Sequence, residues 1–269
     1  NNKTIIEHVI DKVNQVLYPK DIVILTEDIR IKNIVNSYNN ICHIIEEECL
    51  NGTDRIIKYL NKYDCEQYDL IVNVQGDEPF INPINIDLAI QNYYIQKELN
   101  KEIVCSTIYY NTYTNIDIMS KSRVKLVLDK KSNIMYGSRS VIPTTKGTLL
   151  NEHNPYKIHI GLFVFDKDYL KNQYSLENTE NQLCEDIEWL KILEQGKKIN
   201  AISVSNHEVG VDTYDDYSKN DTKYKIIYII RLLNKNHKNQ NNIFFNIFNN
   251  IIQNNNNKTI KLLNSIITD

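Results

Sequence analysis

The sequence predicts an α/β fold: a three-layer domain with a mixed, mostly parallel sheet and an inserted hairpin. Three observations carry this. Short apolar runs alternate with amphipathic stretches of about ten residues, the pattern of strand–helix–strand units whose sheet is covered on both faces. Runs such as Leu70 to Val74 are apolar almost without alternation, as strands buried on both faces are. The chain has 269 residues, 42% of them apolar and 9% aromatic, which suffices for one sizeable core.

Taken in order, Ile5, Ile6, Val9, Ile10, Val13, Val16 and Leu17 share one helical face, and Thr4 with Glu7 forms the T-x-x-E arrangement that caps a helix start. A helix over about 5–17 is expected. Asp21 to Leu25 reads as a short buried strand, and Ile31, Ile34, Val35 and Tyr38 as a second helical face. Ile41 to Ile45 is a strand candidate, Asp54 to Tyr63 a helix, and Leu70 to Val74 a continuous apolar strand. Val124 to Leu128, the polar turn Asp129 to Asn133, and Ile134 to Tyr136 read as the hairpin. Ile158 to Phe165 is a further strand, Cys184 to Glu194 a helix, and Lys198 to Val204 a late strand. Thr213 to Asp216 repeats a T-x-x-D cap before a short helix. From about residue 222 the chain becomes rich in Asn and Ile, including the run Asn254 to Asn257. One helix near Ile226 to Leu233 followed by low-complexity disorder is expected there.

Composition removes several classes of function. The 31 basic residues against 34 acidic ones leave a net charge of −3, which argues against a polybasic nucleic-acid surface. No apolar stretch approaches the roughly 18–20 residues of a membrane span, since Ile243 to Ile252 is broken by Asn246, Asn249 and Asn250. Cys42, Cys49, Cys65, Cys105 and Cys184 are odd in number and form no C-x-x-C pair, so a reducing, cytoplasmic compartment is expected, without a disulfide framework or zinc site. The chain opens directly into a helical pattern with neither a leader nor an initiator Met, as a chain that begins inside a longer protein would.

The strongest local signal for chemistry is the strand Leu70 to Val74, which runs into Gln75 and Gly76 and delivers Asp77 and Glu78 at its carboxyl end. Ligands of open α/β sheets gather at that end. A second carboxylate, Asp212, follows the late strand in Val209 to Thr213. Either alone reads as an ordinary turn or helix-start residue. Together they suit Mg²⁺, which takes oxygen ligands, keeps several waters and is usually held by one or two carboxylates plus substrate phosphates.

These residues carry a family resemblance. Asn73 to Pro79 (N-V-Q-G-D-E-P) resembles the signature of the 3-deoxy-manno-octulosonate (Kdo) cytidylyltransferases, the CMP-Kdo synthetases. Further stretches match in order: Lys3 to Val13, Asn51 to Ile56 against S-G-T-D-R-I, and Val124 to Asp129 against V-K-V-V-L-D. Tyr136 to Arg139 and Ile142-Pro143 resemble Y-F-S-R-x-x-I-P, His159 to Phe163 resembles H-x-G-I-Y, and Gly196 to Ile199 with Gly210 to Thr213 completes the series. The resemblance spans about residues 3–221. It implies a Rossmann-like nucleotide-diphospho-sugar transferase fold and the reaction CTP + Kdo → CMP-Kdo + pyrophosphate, with Mg²⁺ and a homodimer. It further implies that Asp77 and Asp212 hold the metal and carry catalysis, and that Gly52 and Thr53 approach the nucleotide. Gln75, Ser138, Arg139, His159 and Glu188 would bind the sugar acid, Arg139 through its carboxylate.

The chain also departs from the family. The opening strand and basic loop I-P-A-R-x-x-S-x-R-L-P-G-K-P have no counterpart, so the expected domains are 1–221, lacking that strand and loop, and an Asn-rich extension over 222–269. A nucleotide site without that loop's Arg and Lys is expected to lose activity. Asn51 stands for Ser, Phe163 for Tyr, and Ile187 to Lys191 for L-E-Q-L-R. A cytidylyltransferase for another keto sugar acid and a non-catalytic binding remnant are the alternatives.

Overall fold

The computed structural model describes residues 3–18, 21–37, 41–147, 150, 153–174 and 177–205. The expected features at Asp212, Thr213 to Asp216 and 222–269 lie outside these residues. The element order is α1 (Ile5–Val13), β1 (Val23–Thr26), α2 (Ile29–Asn36), β2 (Ile41–Ile44), α3 (Gly52–Lys62), β3 (Leu70–Val74), α4 (Pro83–Leu99) and β4 (Ile103–Thr112). It continues through α5 (Asn115–Met119), β5 (Lys125–Leu128), β6 (Ile134–Ser138), β7 (Tyr156–Asp166), α6 (Lys167–Asn172), α7 (Glu180–Glu185), α8 (Leu190–Glu194) and β8 (Lys198–Ser203).

Local chemistry explains where these elements begin. Glu7 reaches back to accept the Thr4 backbone N–H at 2.5 Å, the reciprocal half of the expected capping box. Asp28 caps α2 by accepting from Arg30 N at 2.8 Å, and Asn51 caps α3 by accepting from Asp54 N at 2.9 Å. Pro83 occupies the first turn of α4, where its missing N–H costs nothing.

The sheet is mixed. Its order is β6-β5-β7-β4-β8, and the 11-residue β7 also takes β3. β5 meets the first part of β7, at Lys157 and Ile158, and β3 its last part, Leu162 to Asp166. The β4–β8 pair is parallel, while β7 runs antiparallel to β3, β4 and β5. β3, β4, β5 and β8 therefore share one direction, and β7 and β6 oppose them. β1 and β2 form a separate parallel pair. Among the described strands β1 and β3 each carry a ladder on one edge.

Two apolar cores cover the sheet. One face packs Ile57 and Leu60 of α3, Tyr169 and Leu170 of α6, and Leu190 and Ile192 of α8 against Cys105, Phe163 and Phe165. The other packs Ile86, Ala89, Ile90 and Tyr93 of α4 against Ile108, Leu162 and Val164. Burying each such large side chain contributes about 1.5–3 kcal/mol, so the layers rather than helix propensity hold these short elements.

Several elements differ from the sequence pattern. α1 ends at Val13 instead of Leu17, because Leu17 and Tyr18 turn to donate their N–H groups to Asp87 at the start of α4. The helix expected over Cys184 to Glu194 is two, α7 and α8, broken at Asp186, whose φ of 53° is left-handed. α4 and β4 escape the pattern altogether. α4 mixes polar and apolar residues on both sides, with Ile84, Ile95 and Leu99 exposed and Asn85 and Asn92 buried beside Ile86, Ile90 and Tyr93, so no single stripe marks it. β4 is buried on both faces from Ile103 to Tyr109, Ser106 and Thr107 included, which removes its period-two signal. Among the described residues no helix is long and apolar enough to cross a membrane.

Candidate functional site

The N-terminus of α3 and the carboxyl end of β3 lie side by side. A side chain at Gly52 would sit 3.7 Å from Asn73 Nδ2 and 3.8 Å from Gln75 Nε2, so the start of α3 lies against the side chains at the strand tip. Thr53 is buried, and its N–H donates to Glu188 Oε2 at 3.3 Å. Burial pushes the Glu188 carboxyl up, and the Thr53 N–H pulls it partly back. Asn73 Nδ2 is buried there without a hydrogen-bond partner, which marks a place where a polar ligand fits. Gln75 is held from the other side by β7: a Cβ at Gly161 would come within 3.2 Å of Gln75 Cγ and 3.4 Å of Glu78 Oε1.

The loop between α7 and α8 joins this corner to a second. Glu188 faces Thr53, and its neighbour Trp189, buried, stands 5.7 Å from the His159 ring on β7. His159 also meets Phe163 at 5.0 Å and Thr107 Oγ1 through Nε2 at 2.9 Å. The indole of Trp189 fills the space over Gly137 on β6, where a Cβ would lie 2.2 Å from Cη2.

Ser138 and Arg139, at the end of β6, are committed to the protein itself. Ser138 Oγ donates to Glu185 Oε1 at 2.7 Å and Arg139 N to Glu185 Oε2 at 2.9 Å. The guanidinium donates through Nε to Glu185 O, through Nη1 to Lys121 O and Ser122 O, and through Nη2 to Asp186 O and Oδ2. Its five N–H groups thus meet five protein oxygens, and a sugar carboxylate would have to displace one of them. Beneath it the buried Lys125 ammonium gives its three hydrogens to Ser120 O, Arg123 O and Arg139 O, at 2.8, 2.7 and 2.6 Å. Burial first, and the Arg139 charge second, draw that ammonium down to about 8.

Asp77 is exposed in the turn after β3, and Asp212 lies outside the described residues. Gly52, Thr53, Gln75 and Glu188 therefore meet beside the carboxyl end of β3, Trp189 links this corner to His159 on the central strand β7, and Ser138 and Arg139 lie beyond it at the end of β6. Asn73, Thr107 and Gly161 contact these residues, and Glu185 holds Ser138 and Arg139; all four were invisible in sequence, except that Asn73 and Gly161 stand inside two of the matched motifs.

The pattern of the cytidylyltransferase family matches residues 1–199. The 3-deoxy-manno-octulosonate cytidylyltransferase of Protochlamydia amoebophila is 34% identical over 218 residues, 81% of this chain and 83% of that protein. This chain belongs to the 3-deoxy-manno-octulosonate cytidylyltransferase family. The mitochondrial cytidylyltransferase of that name from Arabidopsis thaliana is 36% identical over 198 residues, 74% of this chain and 66% of the relative. Among solved structures, a CMP:2-keto-3-deoxy-manno-octonic acid synthetase complexed with CTP superposes with a TM-score of 0.71 at 24% identity, covering 82% of this chain and 87% of that one. The 4-diphosphocytidyl-2C-methyl-D-erythritol synthase of Anaerococcus prevotii follows at 0.53 and 15% identity, covering 84% and 87%. Both share the Rossmann-like nucleotidyltransferase fold.

In this cytidylyltransferase the state of His159 has a measurable consequence. Burial depresses the imidazole from 6.5 to about 3, so between those pH values the unfolded chain takes up a proton that the folded chain refuses. His159 therefore stabilises the fold above pH 6.5, and that contribution falls as pH drops towards 3. His159→Gln is expected to flatten the pH dependence of the urea midpoint between pH 7 and pH 5. An unchanged slope would show that His159 takes no part in it.

Proposed function

We propose that the chain couples CTP and Kdo to CMP-Kdo with release of pyrophosphate. The observation that carries this is the convergence of Gly52 and Thr53 at a helix N-terminus with Gln75 and Glu188, in a chain whose relatives bear that enzyme's name. The N-terminus of the 11-residue α3 presents the Gly52 N–H and a positive dipole end, which suit the anionic nucleotide, while the Thr53 and Asp54 N–H groups are taken by Glu188 and Asn51. Gln75, His159 and Glu188 would hydrogen-bond the sugar hydroxyls and hold the anomeric oxygen towards the α-phosphate. The new bond forms between that oxygen and the α-phosphorus. The bond to the β-phosphate oxygen breaks, pyrophosphate leaves with its electron pair, and the hydroxyl proton is released to solvent. Arg139 would reach the sugar carboxylate by exchanging one backbone carbonyl for it. Otherwise it serves as a strut between the 120–123 loop and α7.

Mg²⁺ is part of this proposal. Asp77, an exposed carboxylate at the strand's carboxyl end, fits a hard cation that needs one or two carboxylates and takes its other ligands from water and phosphate. Asp77 and Asp212 would hold it, and it would neutralise charge on the phosphates during transfer. Among the described residues no three or more His, Cys, Asp or Glu cluster as a metal cage.

A homodimer is proposed as well, supported by Tyr113, Ile116, Met119 and Met135, large apolar side chains exposed on the segment around α5 and the β5–β6 hairpin. Five free cysteines support a reducing, cytoplasmic setting. The deciding experiment is pyrophosphate release by the folded chain with CTP, Kdo and Mg²⁺, alongside UTP and a sialic-type keto sugar acid. Turnover confined to CTP with Kdo is expected. Turnover with the other acid would reassign the substrate, and none at all would leave a binding protein.

A further inference from the structure

Thr107 on β4 and His159 on β7 are 52 residues apart and meet across the sheet, with Oγ1 2.9 Å from Nε2. The same hydroxyl lies 2.5 Å from the carbonyl oxygen of Leu162. A threonine hydroxyl carries one hydrogen, and a carbonyl can only accept. That hydrogen is therefore committed to Leu162, and Thr107 can meet the imidazole only as an acceptor. It follows that the proton of the neutral ring is on Nε2, leaving a lone pair on Nδ1. Thr107 is completely buried, so water does not compete for its hydroxyl. Phe163 and Trp189 flank the ring and restrict its rotation. No hydrogen bond to Nδ1 is formed among the described residues, and His159 is half-buried.

We propose that Thr107 is a positioning residue that locks His159 in its Nε2–H tautomer, so that Nδ1 is presented as a hydrogen-bond acceptor for a hydroxyl of the sugar acid. The identity of that acid rests on the function proposed above; the lock does not. Burial, which keeps the ring neutral down to about pH 3, makes the choice of tautomer the relevant proton question at neutral pH. A ring with its proton on Nδ1 would turn a donor towards the sugar, and the sugar hydroxyl would then have to offer a lone pair instead of its hydrogen.

The test is the ¹⁵N spectrum of the histidine side chains at neutral pH, with His159 assigned by difference against His159→Gln. The unmodified chain is expected to show a protonated Nε2 and a pyridine-type Nδ1, with Nδ1 moving on addition of Kdo. Thr107→Val and Thr107→Ala, either of which serves if folded, are expected to give a mixed or inverted tautomer and to weaken Kdo binding about tenfold, the worth of one hydrogen bond. CTP binding should stay unchanged, and Thr107→Ser should restore both signatures. A protonated Nδ1 in the unmodified chain, or a spectrum unaltered by loss of the hydroxyl, would overturn the lock. The expected tautomer combined with an Nδ1 that ignores Kdo would leave the lock standing and overturn the sugar contact.

Discussion

Asp77→Asn is expected to lower pyrophosphate release by roughly 10²–10³-fold, the usual cost of removing one group that stabilises developing charge. The residue is exposed in the turn after β3, so the loss should come without unfolding, within about 0.5 kcal/mol of the unmodified stability. The neutral amide keeps the shape and one oxygen but gives up the charge proposed to hold Mg²⁺. A rightward shift of the Mg²⁺ titration midpoint should therefore accompany the fall in kcat. Steady-state assays over a range of Mg²⁺ concentrations, with circular dichroism as the folding control, check both. Full activity with an unmoved midpoint would remove Asp77 from the site.

Gly137→Ala is expected to be among the most damaging single changes to the fold. The added methyl carbon would stand 2.2 Å from Trp189 Cη2 and 2.8 Å from Cζ2, well inside contact distance. Trp189 is 3% exposed and cannot swing aside without disturbing its neighbours. Overpacking of this kind costs about 3 kcal/mol, which for a domain of this size lowers Tm by roughly 6–12 °C. Because Trp189 also flanks His159 and follows Glu188, its displacement should raise KM for the sugar acid more than for CTP. Trp189→Leu alone should destabilise through the cavity it leaves. Combined with Gly137→Ala it should cost less than the two effects added, since the methyl then occupies vacated space. Additive costs in urea unfolding would show that the two positions do not share that volume.

The same pair shows the reach of sequence reading. Tyr136 to Arg139 and Ile187 to Lys191 each depart from a family motif, at Gly137 and at Trp189, and in sequence these are two unrelated oddities. In space they are one packing solution, a large ring taking up room that a glycine leaves.

What the sequence determined by itself is what local chemistry determines: the Thr4–Glu7 cap, the alternation of strands and helices, the apolar strand Leu70 to Val74, and an ordered series of motifs sufficient to indicate the family. Period and capping act over a few residues, and a linear pattern records them faithfully. Tertiary structure alone decided that β7 runs antiparallel between β3 and β4. It alone decided that Arg139 is spent on backbone carbonyls, that Glu185 anchors Ser138 from 47 residues away, and that Thr107 fixes the His159 proton across 52. Those outcomes depend on which hydrogen-bonding groups the folded chain brings within about 3 Å of one another. Burial then forces every such group to find a partner, and neither condition is written into spacing along the chain.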